Sequence, residues 1–341
     1  MASIQLVKEY LDTKEDFPVK AKLIDVKILS GGLANHVYRL LFEDNSSMVL
    51  KYYPEFIISQ NLRMSQNRYF VEKEALRLLS SNIELTNHTI IRVPKLVYSD
   101  DKAFILIMQY CGETAIPLFQ FLKLNNNLGS HESIKRDEMI SVIAHELFKF
   151  SNFLSTKSEI KHETHDKPFL NEPAQHVLSN FYPELHRSQA KLFQLEKEIM
   201  PLIDEAEREE EERKKHPEND VFVFGDLWPN SILIDQDKKL IWVIDWEMAR
   251  FETKLRDLDQ LMCNFWIMKQ NPNVFDYDAI DKIMKRLQFE FFNNENIDWR
   301  LKCGKPRFIL WIISLIKEKH WEIDDSKMVV VRALNEIENL S

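Results

Sequence analysis

Phe222-Val223-Phe224-Gly225-Asp226-Leu227-Trp228-Pro229-Asn230-Ser231-Ile232-Leu233-Ile234 is the stretch that decides the reading of this 341-residue chain, together with Ile241-Trp242-Val243-Ile244-Asp245-Trp246-Glu247 just beyond it. Ser231–Ile234 and Leu240–Ile244 have the length and branched apolar content of short strands. Asp235-Gln236-Asp237-Lys238-Lys239 between them has turn chemistry. A hairpin of this size returns Asp245 to the edge that Asp226 enters, so two carboxylates 19 positions apart share one end of it. Taken alone, an aspartate after glycine is as readily a turn cap.

Composition narrows what such a pair can serve. The chain is 45% hydrophobic and carries 54 acidic against 45 basic side chains, a net charge of −9. Disorder is excluded by the apolar and aromatic content, and a dedicated nucleic-acid binder by the acidic balance. Three cysteines, Cys111, Cys263 and Cys303, are too few and scattered for a disulfide framework or a zinc ribbon. The opening MASIQLVKEYLDTKEDF reads as an amphipathic stretch rather than a signal peptide, and the longest apolar run, Phe308 to Ile316, is half a membrane span. The expectation is a cytoplasmic globular protein. Only six glycines occur, with no G-x-G-x-x-G and no G-x-x-x-x-G-K-[ST], so the familiar dinucleotide and P-loop fingerprints are missing.

Working outward, Ile24–Leu29, Val37–Leu41, Ser47–Tyr53, Val93–Tyr98 and Ala103–Gln109 predict five strands. A helix over Asn67–Leu79 stands between the third and fourth, and a short one over residues 3–12 precedes them all. Beyond Gly112 helical spacing dominates: Met139–Leu154, Ala174–Asn180, Arg187–Glu212, Leu255–Lys269, Tyr277–Phe292, Pro306–Lys319 and Asp325–Leu340. His162 and His165 have metal-pair spacing but no third ligand and read as exposed polar residues. Trp228, Trp246 and Trp266 are either core or a stacking wall.

The Gly225-Asp226 loop, the hairpin and Ile244-Asp245 resemble the catalytic and metal loops of the aminoglycoside phosphotransferase and choline kinase superfamily, relatives of the protein kinases. That family's pattern is H-G-D-x-x-x-x-N, a hairpin, then I-D. Phosphoryl transfer needs positioning, charge neutralisation by Mg²⁺ and a carboxylate beside the attacking hydroxyl. The resemblance implies that Asp226 is this base and that Asp245 bridges metal to phosphate. Phe224 replaces the usual histidine and Ser231 the usual asparagine. Ser231 with Asp245-Trp246-Glu247 is similar to the methylthioribose kinases within the superfamily, as are Asp257 and Asn264 further on. Asp257 itself reads as a hydrogen-bonder to the loop rather than a reacting group.

The earlier half resembles the same kinases. Gly31-Gly32-Leu33-Ala34-Asn35-His36-Val37-Tyr38-Arg39 is similar to their nucleotide loop, which implies Gly31, Gly32 and Asn35 near phosphates. Lys51 falls on the strand of the phosphate-binding lysine. Arg68 and Glu72 match the helix that supplies its acidic partner, with Glu74 competing for that role. Gln109-Tyr110-Cys111 corresponds to the adenine hinge.

The resemblance implies an α+β, two-lobed, protein-kinase-like fold. An N-lobe of 1–112 would hold an antiparallel sheet plus a helix and bind nucleotide; a mostly helical C-lobe of 113–341 would bind substrate and carry the catalytic hairpin. The implied activity is ATP- and Mg²⁺-dependent phosphorylation of a hydroxyl on a sugar, thiosugar, amino sugar or amino alcohol. Ser231, Asp245 and Glu247 would form the metal neighbourhood. Two residues apart on extended backbone, Asp245 and Glu247 would face the same side, with Trp246 toward the core; a surface pair between Glu247 and Arg250 is the plainer reading. Phe224 and Ser231 motivate the rival class, a pseudokinase that binds nucleotide without turnover. Only Arg332 stands where methylthioribose kinases carry an arginine pair for substrate, and no A-P-E segment for a protein substrate follows Asp245.

Overall fold

The computed structural model describes residues 3–15, 17–29, 34–57, 62–125, 129–156, 168–292, 298–316 and 321–340. Strands β1 (Leu23–Ile28), β2 (His36–Phe42), β3 (Ser47–Tyr52), β7 (Leu96–Asp100) and β8 (Ile105–Gln109) form one sheet in the order β1-β2-β3-β8-β7, every pairing antiparallel. Side-chain alternation along a strand separates its two faces. Leu50, Ile105 and Ile107 pack with Val7 of helix α1 (Ile4–Asp12), whose N-terminus Ser3 caps. Leu106 and Met108 point the other way, into the core that holds Tyr69, Val71, Ala75 and Leu76 of helix α2 (Arg68–Leu79). Lys51 pairs with Val37 and Leu106 and shares that second face. Its position opposite α2 follows from one-residue alternation.

The small strands β4 (Phe56–Ile57) and β5 (Leu62–Arg63) pair with each other before α2. After α2 come helix α3 (Ile83–His88) and strand β6 (Ile91–Arg92). A second sheet, β6-β12-β11-β9, is built on the hairpin β11 (Ile232–Asp235) and β12 (Leu240–Val243), with Ile232 opposite Val243. β9 (Ile116–Pro117) adds antiparallel to β11, and β6 adds parallel to β12. Both outer strands are two residues long, too short to carry a periodic signal. β10 (Val221–Val223) pairs with β13 (Arg250–Glu252), which brings the entry to the Gly225-Asp226 loop against the exit from Asp245–Glu247.

Helices fill the remainder. Ser130–Thr156 starts well before the predicted Met139, because its first turns are polar and exposed while its apolar stripe begins at Met139. The single helix expected over Arg187–Glu212 is two, Tyr182–Phe193 and Glu196–Lys214, broken at Gln194 in the left-handed region (φ 58°). In the helix Arg256–Met268 every residue is buried. An all-round buried helix is a core element, and its polar residues Asp257, Gln260 and Asn264 therefore need internal partners. Tyr277–Phe291, Lys305–Leu315 and Ser326–Glu338 pack around it. No helix among the described residues is long and apolar enough to cross a membrane.

Candidate active site

Lys51 Nζ lies 2.5 Å from Glu72 Oε2 and also donates to Asp245 Oδ1. One ammonium thus joins β3, α2 and the end of the hairpin. Glu72 is the acidic partner; Glu74 pairs instead with Arg77 in its own helix. Tyr53 donates its hydroxyl to the same Glu72 oxygen at 2.6 Å. Burial alone would lower the Lys51 ammonium, but Asp245, Glu72 and Glu247 hold it well above its ordinary value. Glu72, 1% exposed, is pushed up to about 7 by burial, against the pull of Lys51, with Asp245 and Glu247 adding repulsion.

Glu247 is buried, not at the surface. Its Oε2 accepts from Asn35 Nδ2 at 2.8 Å and lies 3.2 Å from Arg68 Nε. Arg68, fully buried, also donates to Asn35 Oδ1, to Pro54 O and to Met64 and Ser65 carbonyls. The expected surface partner, Arg250, pairs with Glu252. The extended stretch expected through Asp245 and Glu247 is replaced by a tight one: Asp245 is left-handed (φ 73°, ψ 59°) and Trp246–Met248 is a 3₁₀ turn. That bend still sends Trp246 into the core, with its indole N–H on Val243 O, and brings the Asp245, Glu247 and Glu72 carboxylates together with one oxygen of each within 4.8 Å of the others. Three carboxylates against Lys51 and Arg68 leave one negative charge in excess.

The Gly225-Asp226 loop approaches from the other side. Gly225 has φ +86°, and a Cβ there would sit 2.2 Å from Met248 O, so only glycine fits. Asp257 reaches back from the buried helix to accept from Phe224 N (2.8 Å) and Gly225 N (2.7 Å). One turn further along, Gln260 Nε2 donates to Asp226 Oδ1 at 2.5 Å. Asp226 is pushed up to about 7, chiefly by burial, with Gln260 opposing and Asp245 adding repulsion. A half-buried carboxyl with so high a proton affinity is suited to accept a proton near neutral pH. Phe224 fills the place of the expected histidine by packing edge-on against Trp246 at 4.7 Å.

A model of a phosphotransferase enzyme family matches residues 161–280, which include Asp226, Asp245 and Glu247. That match spans about a third of the chain. The solved structures agree in fold. Amicoumacin kinase hAmiN in complex with AMP-PNP, Ca²⁺ and Ami is similar over 99% of this chain and 93% of that one, with TM-score 0.59 and 14% identity. Choline kinase from Cryptosporidium parvum Iowa II is similar over 98% and 93%, with TM-score 0.52 and 15% identity. The GDP and kanamycin complex of APH(2")-IIia is similar over 97% and 98%, with TM-score 0.50 and 14% identity. No curated protein matches the chain by sequence.

Within this fold the sequence-predicted residues divide into groups. Lys51, Glu72, Asp245 and Glu247 converge, and Asp226 stands beside them, its carboxyl feeling the charge of Asp245 and Glu247. Asn35 is 6% exposed and ties Arg68 to Glu247 from behind. Ser231 does not join the carboxylates: its hydroxyl accepts from Trp228 N and bonds Trp228 O and Asp226 O, closing the loop. Gln109 ends β8 and Tyr110-Cys111 follow it, with the Arg39 guanidinium 4.4 Å from the Tyr110 ring centre. Gly31 and Gly32 lie outside the described residues, as do His162 and His165. Trp228 and Trp266, like Trp246, are buried. Sequence reasoning missed Tyr53 and Gln260. Gln260 was findable: it lies three residues past Asp257, on a stretch with almost no exposed face.

Proposed function

We propose that the protein transfers the γ-phosphoryl group of ATP to a hydroxyl of a small molecule, with a hard divalent cation such as Mg²⁺. The observation that carries this reading is the Lys51 ammonium held between Glu72 and Asp245, beside a surplus of negative charge and within reach of a separate, proton-seeking Asp226. The oxygen-only donor set fits a hard cation, which binds through one or two carboxylates and retains waters. Asp245, whose side chain is 36% exposed, and Glu247 would hold it, and it would supply neutralisation of phosphate charge. Ser231 we assign to the loop rather than to the metal.

The chain's own residues do the rest. Lys51 binds phosphate oxygens, and Glu72 and Tyr53 fix where its ammonium can be. Asp226 accepts the proton of the acceptor hydroxyl as that oxygen bonds to the γ-phosphorus and the bond to the departing ADP oxygen breaks. Gln260 and Asp257 fix Asp226 and its loop. Residues 1–112 would hold nucleotide, with adenine at Gln109-Tyr110-Cys111, and 113–341 the acceptor.

The test is ATP consumption by purified protein against a panel of hydroxyl metabolites, with and without Mg²⁺. Asp226→Asn should lower kcat by about 10²–10⁴-fold while ATP binding persists. ATP binding that ignores Mg²⁺, with no acceptor turned over, would sink the kinase reading in favour of a non-catalytic nucleotide-binding module.

A further inference from the structure

A cavity of about 990 Å³ opens between the helices Tyr182–Phe193, Glu196–Lys214 and Lys305–Leu315 and the turn that follows β13. Its wall carries Arg256, the first residue of the buried helix, nine-tenths buried with its guanidinium 4.4 Å from the centre of the Trp311 ring. Arg256 Nε is buried without a hydrogen-bond acceptor. The nearest carboxylate oxygen, Glu252 Oε2, is 3.6 Å away and already accepts two donors of Arg250. Of the other carboxylates on this wall, Glu210 and Asp220 pair with Arg213, Glu207 with Arg187 and Glu212 with Lys215, and Glu209 and Glu211 also line it.

A buried guanidinium whose one carboxylate neighbour, Glu252, is shared with Arg250 keeps donors to offer an anion entering the open cavity beside it. Arg256 also lies four residues before Gln260, and residues so spaced share one helix face about 5–6 Å apart. Gln260 holds Asp226. The cavity wall at Arg256 is thus one helical turn from the residue that holds the Asp226 carboxyl.

Resting on the kinase reading, we propose that this cavity receives the acceptor and that the acceptor carries an anionic group, a carboxylate or a phosphate, bound by Arg256 over the Trp311 face. The anion and the reacting hydroxyl would sit several bonds apart in one molecule, as in a sugar acid or a phosphorylated sugar. Cationic amino sugars and amino alcohols would be poor ligands.

The experiment is calorimetric titration of the full chain, without nucleotide, using gluconate and glucose 6-phosphate beside glucose and glucosamine. At least one anion should bind, and more tightly than glucose or glucosamine; which anion binds distinguishes carboxylate from phosphate. Arg256→Met should weaken that binding about 10–100-fold, and Arg256→Lys should restore part of it. Should the methionine variant fail to fold, the lysine variant is compared alone, with a smaller loss expected from its missing fork. Neither anion binding, glucose or glucosamine binding as tightly, or an unchanged affinity in the variants overturns the proposal. Because the readout needs no ATP, its failure is distinct from the failure of the kinase reading, which ATP consumption decides.

Discussion

Replacing Gly225 by alanine tests whether close backbone approach sets the geometry of the Asp226 loop. The new Cβ would meet Met248 O at 2.2 Å and Arg250 Nη1 at 2.4 Å, where side-chain carbons keep about 3.0 Å or more, so the loop must open by about 0.8 Å. A left-handed φ costs an alanine about 1–2 kcal/mol, and overpacking a rigid carbonyl adds about 1–3 kcal/mol. Gly225→Ala should therefore lose about 2–5 kcal/mol of stability. Gly304 supplies the control for the clash: it has φ +87° but nothing within 4 Å of a built Cβ, so Gly304→Ala should lose only a backbone part of about 1–3 kcal/mol. Activity separates the pair further. Asp226 is the next residue, and a displacement approaching 1 Å at a reacting group costs on the order of 10²-fold in rate; Gly304→Ala, which leaves the Asp226 loop untouched, should lose far less. Urea unfolding followed by tryptophan fluorescence, with ATP consumption on an identified acceptor, measures both. Equal destabilisation by the two alanines, or parental turnover in Gly225→Ala, would refute the argument.

Asp257→Ala strands the Phe224 and Gly225 amides in a buried place, and at about 1–3 kcal/mol per orphaned donor the net loss in urea unfolding should be about 2–4 kcal/mol, softened by removing a carboxyl that burial already pushes up to about 6. Lys51→Met leaves Glu72, Asp245 and Glu247 facing one another; nucleotide affinity should fall and turnover drop by about 10²-fold or more, read by nucleotide titration and initial rates. His186 is buried, bonded to Ser314 Oγ at 2.7 Å and lowered to about 4 by burial. The unfolded chain takes up that proton more readily, so stability is fully present above about 6.5 and declines as pH falls from there toward 4. Between pH 7.5 and 5 the loss should be about 2 kcal/mol, and His186→Gln should flatten it in urea midpoints measured at both pH values.

The five-stranded sheet was legible from its short runs of branched and apolar residues, and α2 from its helical spacing. The hairpin was legible from its turn. What escaped has a common cause: β6 and β9 are two residues each, and their place beside the hairpin is fixed by tertiary pairing rather than local preference. The break at Gln194 carried no glycine or proline to mark it. At the site, the sequence pointed to carboxylates that the structure brings together but to the wrong backbone between Asp245 and Glu247, since a left-handed aspartate is imposed by its surroundings. Glu247 looked free to pair with Arg250 because a partner at Asn35 or Arg68, some two hundred positions away, leaves no trace in local spacing.

Arg68 and Glu72 stand one turn apart on α2; one grips the turn after Asp245 through Glu247, the other grips the sheet through Lys51. The helix is thereby a rivet whose two ends share a single rotational setting. A twist of α2 about its axis moves both contacts at once, and neither half can retain one while surrendering the other without exposing a buried charge. Assembly of the Lys51–Glu72 pair and of the turn that carries Asp245 and Glu247 is thus a single event with one threshold, and damage anywhere along the rivet should disturb the two together.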